Sequence, residues 1–367
     1  MLGVTLGAWW LALAPTLDLV RPPPEQLARE LDAALTGPLS VSASERARNP
    51  EWMLMADLYA VLAWSNTALA EPDRSDELLQ RIDAAIEGTL AVERDEGQLG
   101  LLLPYARRQP FRDPGGRSLF VDGELALMLA ARLSVAPEPR WEAELRARVG
   151  FIEASLGAGP VRSGESYPDE CWTFCNTTAL AALVLADRVL GTNHRPLVDD
   201  WLRVAKARLV DPDTGLLVSS YTWDGDVLDG PEGSSIFMVA HNLLLLDPRF
   251  ARDQYARARS QLGREVLGLG WSREWPARAA AAMDVDSGLV VPVLGASPGA
   301  SGLALLGAAA FEDRDYRDAL LRSMELAAVP TRGDGARWYR AAGRIGNAVA
   351  AYALSFGPLW SGAEETA

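Results

Sequence analysis

Two kinds of apolar pattern alternate along this chain of 367 residues. In the first kind, apolar residues recur at i, i+3 and i+4 and leave one charged face, as in a helix that is exposed on one side. In the second kind, the residues are apolar nearly all round and often small, so such a helix must be surrounded by protein. The amphipathic stretches are roughly 23–36, 74–93, 138–156, 195–209, 248–266 and 312–327. The enclosed stretches are roughly 51–70, 119–133, 170–190, 232–246, 298–311 and 343–356.

This alternation of six enclosed helices with six half-exposed helices predicts an all-α fold. A ring of helix hairpins, the (α/α)6 toroid, has this pattern because its inner helices are covered on every side and its outer helices are not. An open solenoid of stacked helix pairs is the alternative, and it would end in polar capping helices. We expect a single barrel domain over residues 23–367, after an apolar segment over residues 1–22.

The connections between these helices also fall into two classes. Connections that leave the enclosed helices are short, whereas those that enter them are long, at 94–118, 157–169, 210–231, 267–297 and 328–342. Because the long loops all precede helices that run in one direction, they should meet at one end of the ring. Long irregular loops in a compact domain usually serve function, so we expect the site at that end, with small β-hairpins in the loops.

Composition and charge argue against several classes of function. A formal charge of −14 opposes binding to phosphate backbones, so nucleic acid is not an expected partner. The sequence has no Walker loop, dinucleotide fingerprint, zinc-protease motif or GxSxG elbow, which disfavours phosphoryl transfer, hydride transfer and hydrolase-fold chemistry. Its two cysteines are too few for a disulfide scaffold or a structural zinc site. We therefore predict a small-molecule substrate and no metal site.

The N-terminal run from Gly3 to Val20 contains only three polar residues. No Lys or Arg precedes this run, Pro15 interrupts it and its length barely spans a bilayer, so packing against protein is the favoured interpretation. Membrane association through this segment is the alternative, and the compartment stays open between cytoplasmic and membrane-associated. The sequence does not determine the oligomeric state, and a homo-oligomer is one of the alternatives.

The stretch from Tyr167 to Asn176 offers groups for acid/base chemistry. Cys171 and Cys175 are four residues apart, so we expect both to project from one face, one turn into a helix that starts near residue 169. A thiolate near a helix start is stabilised by the helix dipole. Both thiols are therefore candidate catalytic groups, with Tyr167 and Asn176 as candidate substrate contacts. The alternative is that two small residues are buried in an apolar helix.

Three acidic residues on enclosed helices are further catalytic candidates. Asp57 lies in the middle of an apolar helix, where it must be protonated or paired, so it is either a general acid or the partner of an arginine. Asp122 and Glu124 open the next enclosed helix, and the alternative for both is that they are first-turn acids favoured by the helix dipole.

Another enclosed helix opens with Glu232 and Ser234, and His241 follows two turns later. Together with the acids on the other enclosed helices, Glu232 would complete a ring of carboxylates around one cavity, which is an acid/base arrangement. We take Glu232, Ser234 and His241 as candidate substrate contacts. For a lone histidine in an apolar helix, a hydrogen-bonded core role is nevertheless favoured over direct chemistry.

The long loops add aromatic side chains interleaved with acids. Tyr221 and Trp223 lie in one loop, and Trp275 and Asp286 in another. Aromatic walls suit sugars and hydrocarbons alike, so we take these four residues as candidate substrate contacts.

Four segments together resemble the linalool dehydratase-isomerase family: RNPEW, SYPDECWTFCNTTALAAL, GPEGSSIFMVAHNLLLLDPRFARDQY and DVDSG with the following GASPGASGLALLGAA. The resemblance covers most of the chain after about residue 48. It implies an (α/α)6 barrel and cofactor-free acid/base chemistry, in which a tertiary allylic alcohol is dehydrated to a diene or isomerised. By this resemblance Cys171 and Cys175 look like the family's cysteine pair, and Asp57 looks like the aspartate of its first inner helix. The family's histidine has no counterpart on the helix of Asp122 and Glu124.

Three functions follow as hypotheses. The first is a cofactor-free lyase or isomerase of a terpenoid-like or other hydrophobic alcohol, with Asp57 and one cysteine as the proton-transfer pair. The second is a sugar-active enzyme like a glycoside hydrolase, which uses two of the carboxylates at positions 122, 124, 232 and 286. The third is a non-catalytic binding or assembly protein that retains the barrel.

Overall fold

The computed structural model describes residues 12–13, 15–35, 48–276, 288, 290–292 and 294–360. Twelve of the described helices form six pairs of one inner and one outer helix. The outer helices are α1 (Pro24–Leu35), α3 (Ser75–Glu96), α5 (Pro139–Ala158), α7 (Arg195–Arg208), α9 (Pro248–Gln261) and α11 (Arg314–Ala327). The inner helices are α2 (Pro50–Ala70), α4 (Leu119–Val135), α6 (Thr173–Leu190), α8 (Gly233–Leu246), α10 (Pro298–Ala310) and α12 (Gly343–Ser355).

The inner helices form a closed ring. Each one packs on the next in chain order, from α2 through α4, α6, α8 and α10 to α12, and α12 packs back on α2. The outer helix α1 completes the last pair, because it packs mainly on α12, which lies at the other end of the described chain. The chain is therefore an (α/α)6 toroid, which confirms the predicted fold class, and the solenoid alternative is wrong.

Burial explains why the two helix types alternate. The inner helix α4 buries every residue from Leu119 to Leu133. The outer helix α3 buries a single stripe of apolar residues at positions 78, 82, 86 and 90, one turn apart, together with Thr89. A helix covered on all sides needs apolar residues all round, whereas a helix on the outside needs them only toward the ring.

Local signals set where the site-bearing helices begin. Pro50 stands at the start of α2, where its missing N–H costs nothing, and the side chain of Asn49 accepts a hydrogen bond from the Trp52 N–H at 3.0 Å. Ser118 caps α4 in the same way. These starts carry Glu51 and Asp122 into the first turns of their helices.

Short antiparallel strands occupy the loops that enter the inner helices. One sheet contains β1 (Cys171–Trp172), β2 (Ser220–Tyr221) and β3 (Val227–Asp229), and a second contains β4 (Gly263–Val266), β5 (Leu269–Arg273) and β6 (Ala296–Ser297). Strands β7 (Pro330–Gly333) and β8 (Ala336–Tyr339) form a hairpin. Because β1 pairs with β2, the loops of neighbouring hairpins lie together at one end of the ring, as predicted.

A buried ion cluster ties the last part of the ring to its beginning. The Arg337 guanidinium on β8 donates to both Glu325 carboxylate oxygens of α11, at 2.8 and 2.7 Å, and to Glu30 of α1 at 2.9 Å. The Tyr339 hydroxyl donates to the same Glu325 carboxylate at 2.8 Å. Buried charges are tolerated when paired and hydrogen-bonded in this way.

One described helix, α6, is long and apolar enough to cross a membrane by length and composition, but 72% of it is buried inside the protein. Such burial is typical of the core helix of a ring. Of the predicted N-terminal apolar run, residues 3–11 and 14 lie outside the described residues. In the described part Leu17 is buried, whereas Leu19 is 86% exposed.

Candidate active site

Helix α4 sends its two acidic residues in opposite directions. Asp122 and Glu124 are two residues apart, which corresponds to about 200° around a helix. Asp122 faces the outer layer, where its carboxylate accepts hydrogen bonds from Arg148 of α5 at 2.7 Å and from Arg117 at 2.6 Å. Glu124 therefore points toward the interior of the ring. Its exposed fraction is 0%, and neither carboxyl oxygen has a hydrogen-bond partner among the described residues.

The environment of Glu124 favours a protonated carboxyl group. Burial raises its pKa well above the ordinary value of 4.5, and the negative charge of Glu51 adds to this effect. An ionised carboxylate without partners would be costly in such surroundings, so the protonated form is favoured. A neutral carboxylic acid in the interior of the ring is a candidate proton donor.

Helix α2 lines the interior with Glu51, Met55 and Tyr59, which lie on one face at intervals of four residues. The Tyr59 hydroxyl contacts the Met238 sulfur of α8 at 2.5 Å, so this face of α2 points across the ring. Helices rise by about 1.5 Å per residue, so Tyr59 lies about 12 Å deeper than Glu51. Glu51 stands at the loop end, where it is only partly buried.

Asp57 lies on the other side of α2. Its carboxylate pairs with Arg344 at the start of α12 at 2.7 Å. Burial raises the pKa of Asp57, and the Arg344 charge opposes this shift. The structure thus places Asp57 at the seam between α2 and α12 and does not bring it to Glu124.

The two cysteines lie at different structural positions. Cys171 belongs to β1, opposite Tyr221 of β2, whereas Cys175 lies in the first turn of α6. The expected stabilisation of a thiolate by the helix start is outweighed, because burial raises the pKa of both thiols. The thiol of Cys175 lies near both Glu51 and Glu124, and a negative charge on either carboxyl group would raise its pKa further. Both cysteines are neutral thiols at neutral pH.

Tyr167 joins three segments at the loop end. Its hydroxyl donates to the Glu51 carboxylate at 2.7 Å and accepts from the Leu103 N–H at 3.1 Å. Its ring stacks on Tyr105 with 4.5 Å between the centroids. The Tyr105 hydroxyl in turn donates to Glu170 at 3.3 Å. The loop before α4 and the loop before α6 are thereby held against the start of α2.

His241 lies deep in α8 and is fully hydrogen-bonded. Its Nε2 contacts the Tyr352 hydroxyl and its Nδ1 contacts the Asn242 side-chain oxygen, both at 2.9 Å. Burial lowers the pKa of His241 to about 3, against the opposing effect of Asn242. The imidazole is therefore neutral, in agreement with the favoured core role.

A second acidic group lies at the starts of α8 and α10. Burial, followed by the charges of Glu274 and Asp229, raises the pKa of Glu232 to about 8. The hydroxyls of Ser234 and Ser297 both donate to Glu274, the second at 2.5 Å. Glu232 and Glu274 are therefore two neighbouring carboxyl groups in different environments.

The remaining predicted contacts hold loops in place. Asn176 exchanges hydrogen bonds with the Gly164 backbone at 2.9 and 3.2 Å. The Tyr221 hydroxyl donates to Ser163 at 2.8 Å, and the Trp223 N–H donates to Asp169 at 3.2 Å. The Trp275 side chain hydrogen-bonds Glu232. Asp286 lies outside the described residues.

Sequence reasoning missed Glu51, Tyr59 and Tyr105. Glu51 lies in the RNPEW motif, and the signal was its position on the face of α2 that also carries Tyr59.

No group of three or more His, Cys, Asp and Glu side chains that could hold a metal ion occurs within the ranges the structure describes.

The closed ring with acids and thiols at one end of its inner helices defines an (α/α)6 toroid with a candidate acid/base site. Residues 166–345 match the family model of linalool dehydratase/isomerase, which confirms the resemblance over that part of the chain. The matched part contains Tyr167 and both cysteines, whereas Glu51 and Glu124 precede it.

Solved structures share the fold over nearly the whole chain. A possible member of the GH105 family from Salmonella enterica has a TM-score of 0.57 at 14% identity, with coverage of 92% of this chain and 96% of that chain. A GH76 alpha-mannanase from Bacteroides thetaiotaomicron has a TM-score of 0.54 at 10% identity, with coverage of 91% and 96%. A D-mannose isomerase has a TM-score of 0.52 at 12% identity, with coverage of 90% and 96%. At these identities the likeness shows the fold alone.

The matched family model is named for a dehydratase and isomerase. The names of the solved neighbours refer to sugar-active enzymes, so they add nothing for a terpenoid substrate.

Proposed function

We propose that this protein is a cofactor-free acid/base lyase or isomerase, which acts on a neutral, largely apolar alcohol inside the ring. The observation that carries the proposal is the buried Glu124 carboxyl group, whose oxygens have no partner in the described part of the chain. A protonated Glu124 would donate its proton to the substrate hydroxyl. The carbon–oxygen bond then breaks, water leaves and a carbocation remains.

Loss of a proton from the adjacent carbon gives the alkene or diene, and return of water at the other end of an allylic cation gives the isomeric alcohol. The interior groups suit this path, since Met55, Tyr59 and Cys175 offer apolar, aromatic and thiol surfaces without a fixed charge. Aromatic faces also stabilise a carbocation by cation–π attraction. The family match supports this class of reaction.

A sugar-active enzyme is the second candidate, and Glu232 with Glu274 favours it. A carboxyl group with a pKa of about 8 beside a second carboxyl group resembles the acid and base of a glycosidase. The Trp275 side chain beside Glu232 would offer a stacking surface for a sugar ring.

The test is incubation of the purified protein with linalool, geraniol and myrcene, followed by gas chromatography. Glu124→Gln should lower turnover at least about 100-fold, because the amide cannot supply the proton. Glu87→Gln, on the exposed face of α3, is the matched control and should keep the wild-type rate.

Full activity of Glu124→Gln would exclude Glu124 as the acid. Release of sugar from α-1,6-mannosides, lost in Glu232→Gln but retained in Glu124→Gln, would favour the second candidate. Loss of alcohol turnover in Asp57→Asn alone would return the acid role to Asp57.

A further inference from the structure

An acid that protonates the substrate has to be paired with a base. The base removes a different proton from the substrate, and that proton is later passed back to the acid. Among the described residues on the interior face of α2, Glu51 is the acidic one, and it stands at the loop end. The first turn of a helix stabilises negative charge, because unpaired N–H groups point toward it. The two carboxyl groups therefore have contrasting environments: Glu51 lies at a partly exposed helix start, and Glu124 is buried without a hydrogen-bond partner in the described ranges.

Tyr167 fixes the position of Glu51. Its hydroxyl is held by the Leu103 N–H at 3.1 Å and by ring stacking on Tyr105, so its proton can be directed only toward Glu51, at 2.7 Å. Burial raises the pKa of Tyr167, and the charge of Glu51 adds to this effect, so the phenol remains a donor. A donor on one carboxylate oxygen orients the group, and a carboxylate has several lone pairs that can accept a proton.

We infer that Glu51 is the catalytic base of the reaction in which Glu124 is the acid, and that Tyr167 is the positioning residue for Glu51. This inference rests on the proposed function. In the forward reaction Glu124 protonates the leaving hydroxyl, water departs, and the Glu51 carboxylate takes a proton from the adjacent carbon as the double bond forms. Proton transfer from Glu51 to the Glu124 carboxylate then restores both groups, so no external reactant is consumed.

The experiment uses the full chain in deuterium oxide with an alcohol that the wild type converts. If Glu51 exchanges its proton with solvent between turnovers, deuterium enters the recovered alcohol or alkene at the carbon next to the reacting centre. Glu51→Gln should abolish both this exchange and turnover, with a fall of at least about 100-fold in kcat. Glu51→Asp should recover part of the rate, because a carboxylate is present again.

Tyr167→Phe keeps the stacked ring and removes only the hydroxyl. We expect a fall in kcat of about 10-fold with KM nearly unchanged, because the base is misplaced and not removed. Tyr316→Phe is the matched control, since its buried hydroxyl donates to the Trp271 backbone at 2.9 Å from the outer layer. It should keep the wild-type kcat.

The results separate this inference from the proposed function. Wild-type rates in Glu51→Gln, together with loss of activity in Glu124→Gln, would overturn the inference and leave the proposed function intact. A folded wild type that converts none of the alcohols would overturn both. Equal losses in kcat for Tyr167→Phe and Tyr316→Phe would reduce Tyr167 to a structural residue.

Discussion

Gly123 of α4 and Ala179 of α6 are in direct contact, with no room for a side chain between them. A β-carbon on Gly123 would lie 3.0 Å from the Ala179 β-carbon and 3.2 Å from its backbone nitrogen. Glu124 follows Gly123, and Cys175 lies one turn before Ala179. Because the two inner helices run in the same direction, Glu124 therefore lies about 7.5 Å deeper along the ring axis than Cys175.

Replacement of Gly123 by alanine should force α4 and α6 apart. We expect Gly123→Ala to lower the free energy of unfolding by roughly 1–3 kcal/mol, as overpacking does in a dense core. Gly150→Ala on α5 is the matched control, because a β-carbon there meets nothing within 4 Å. The control should be stabilised by up to about 1 kcal/mol, since alanine favours helix over glycine. Urea unfolding measures both, and equal stability of Gly123→Ala and wild type would contradict the tight contact.

The raised pKa of Glu124 makes stability depend on pH in a defined direction. The folded state keeps the Glu124 proton above pH 4.5, where the unfolded state releases it, so the folded state binds more protons. Stability contributed by this group is present below pH 4.5 and falls as the pH rises toward the folded-state pKa, by at most about 1.4 kcal/mol per pH unit. Glu124→Gln should lack this slope. Parallel curves of unfolding free energy against pH for both proteins, between pH 5 and 8, would argue against a buried proton.

The pKa of His241 has the opposite consequence. Its pKa falls from 6.5 to about 3 on folding. Between pH 3 and 6.5 the unfolded state therefore binds a proton that the folded state does not bind. This contribution to stability is complete above pH 6.5 and declines on acidification toward pH 3, by at most about 1.4 kcal/mol per pH unit. In nuclear magnetic resonance spectra the His241 imidazole should stay neutral from pH 8 down to 5. A titration midpoint near 6.5 would disprove its burial beside Tyr352.

Replacement of Arg148 should lower the free energy of unfolding, although the Arg148 side chain does not face the interior of the ring. Its guanidinium pairs with Asp122 and with Glu93, and all three side chains are largely buried. Arg148→Met leaves buried negative charge without its main partner, so we expect a loss of about 3–5 kcal/mol. Arg203→Met removes an exposed pair with Asp200 and should change stability by less than about 1 kcal/mol. A similar decrease in the free energy of unfolding for the two variants would show that the buried network stabilises the fold no more than an exposed ion pair does.

The architecture was readable from the sequence because the signal for it is local. Whether a helix has one apolar stripe or is apolar all round depends on its own residues, and the alternation of the two types requires an inner and an outer layer. The meeting of the long loops at one end followed from chain direction. The start of α6 was less accurate, because β1 pairs with β2 some 50 residues away and delays the helix to Thr173.

The sequence by itself determined that Asp122 and Glu124 point in opposite directions, and that Glu51 and Tyr59 share a face, since these relations depend only on helix geometry. Only the tertiary structure decided which of the two directions is the interior. An inner helix is apolar on every side, so no polar face marks its inward side. The arginine that pairs with an acidic residue on such a helix comes from a segment distant in sequence. Asp122 pairs with Arg148 of the outer layer, and Asp57 pairs with Arg344 between α2 and α12. Glu124 lies in the interior without a counterion among the described residues.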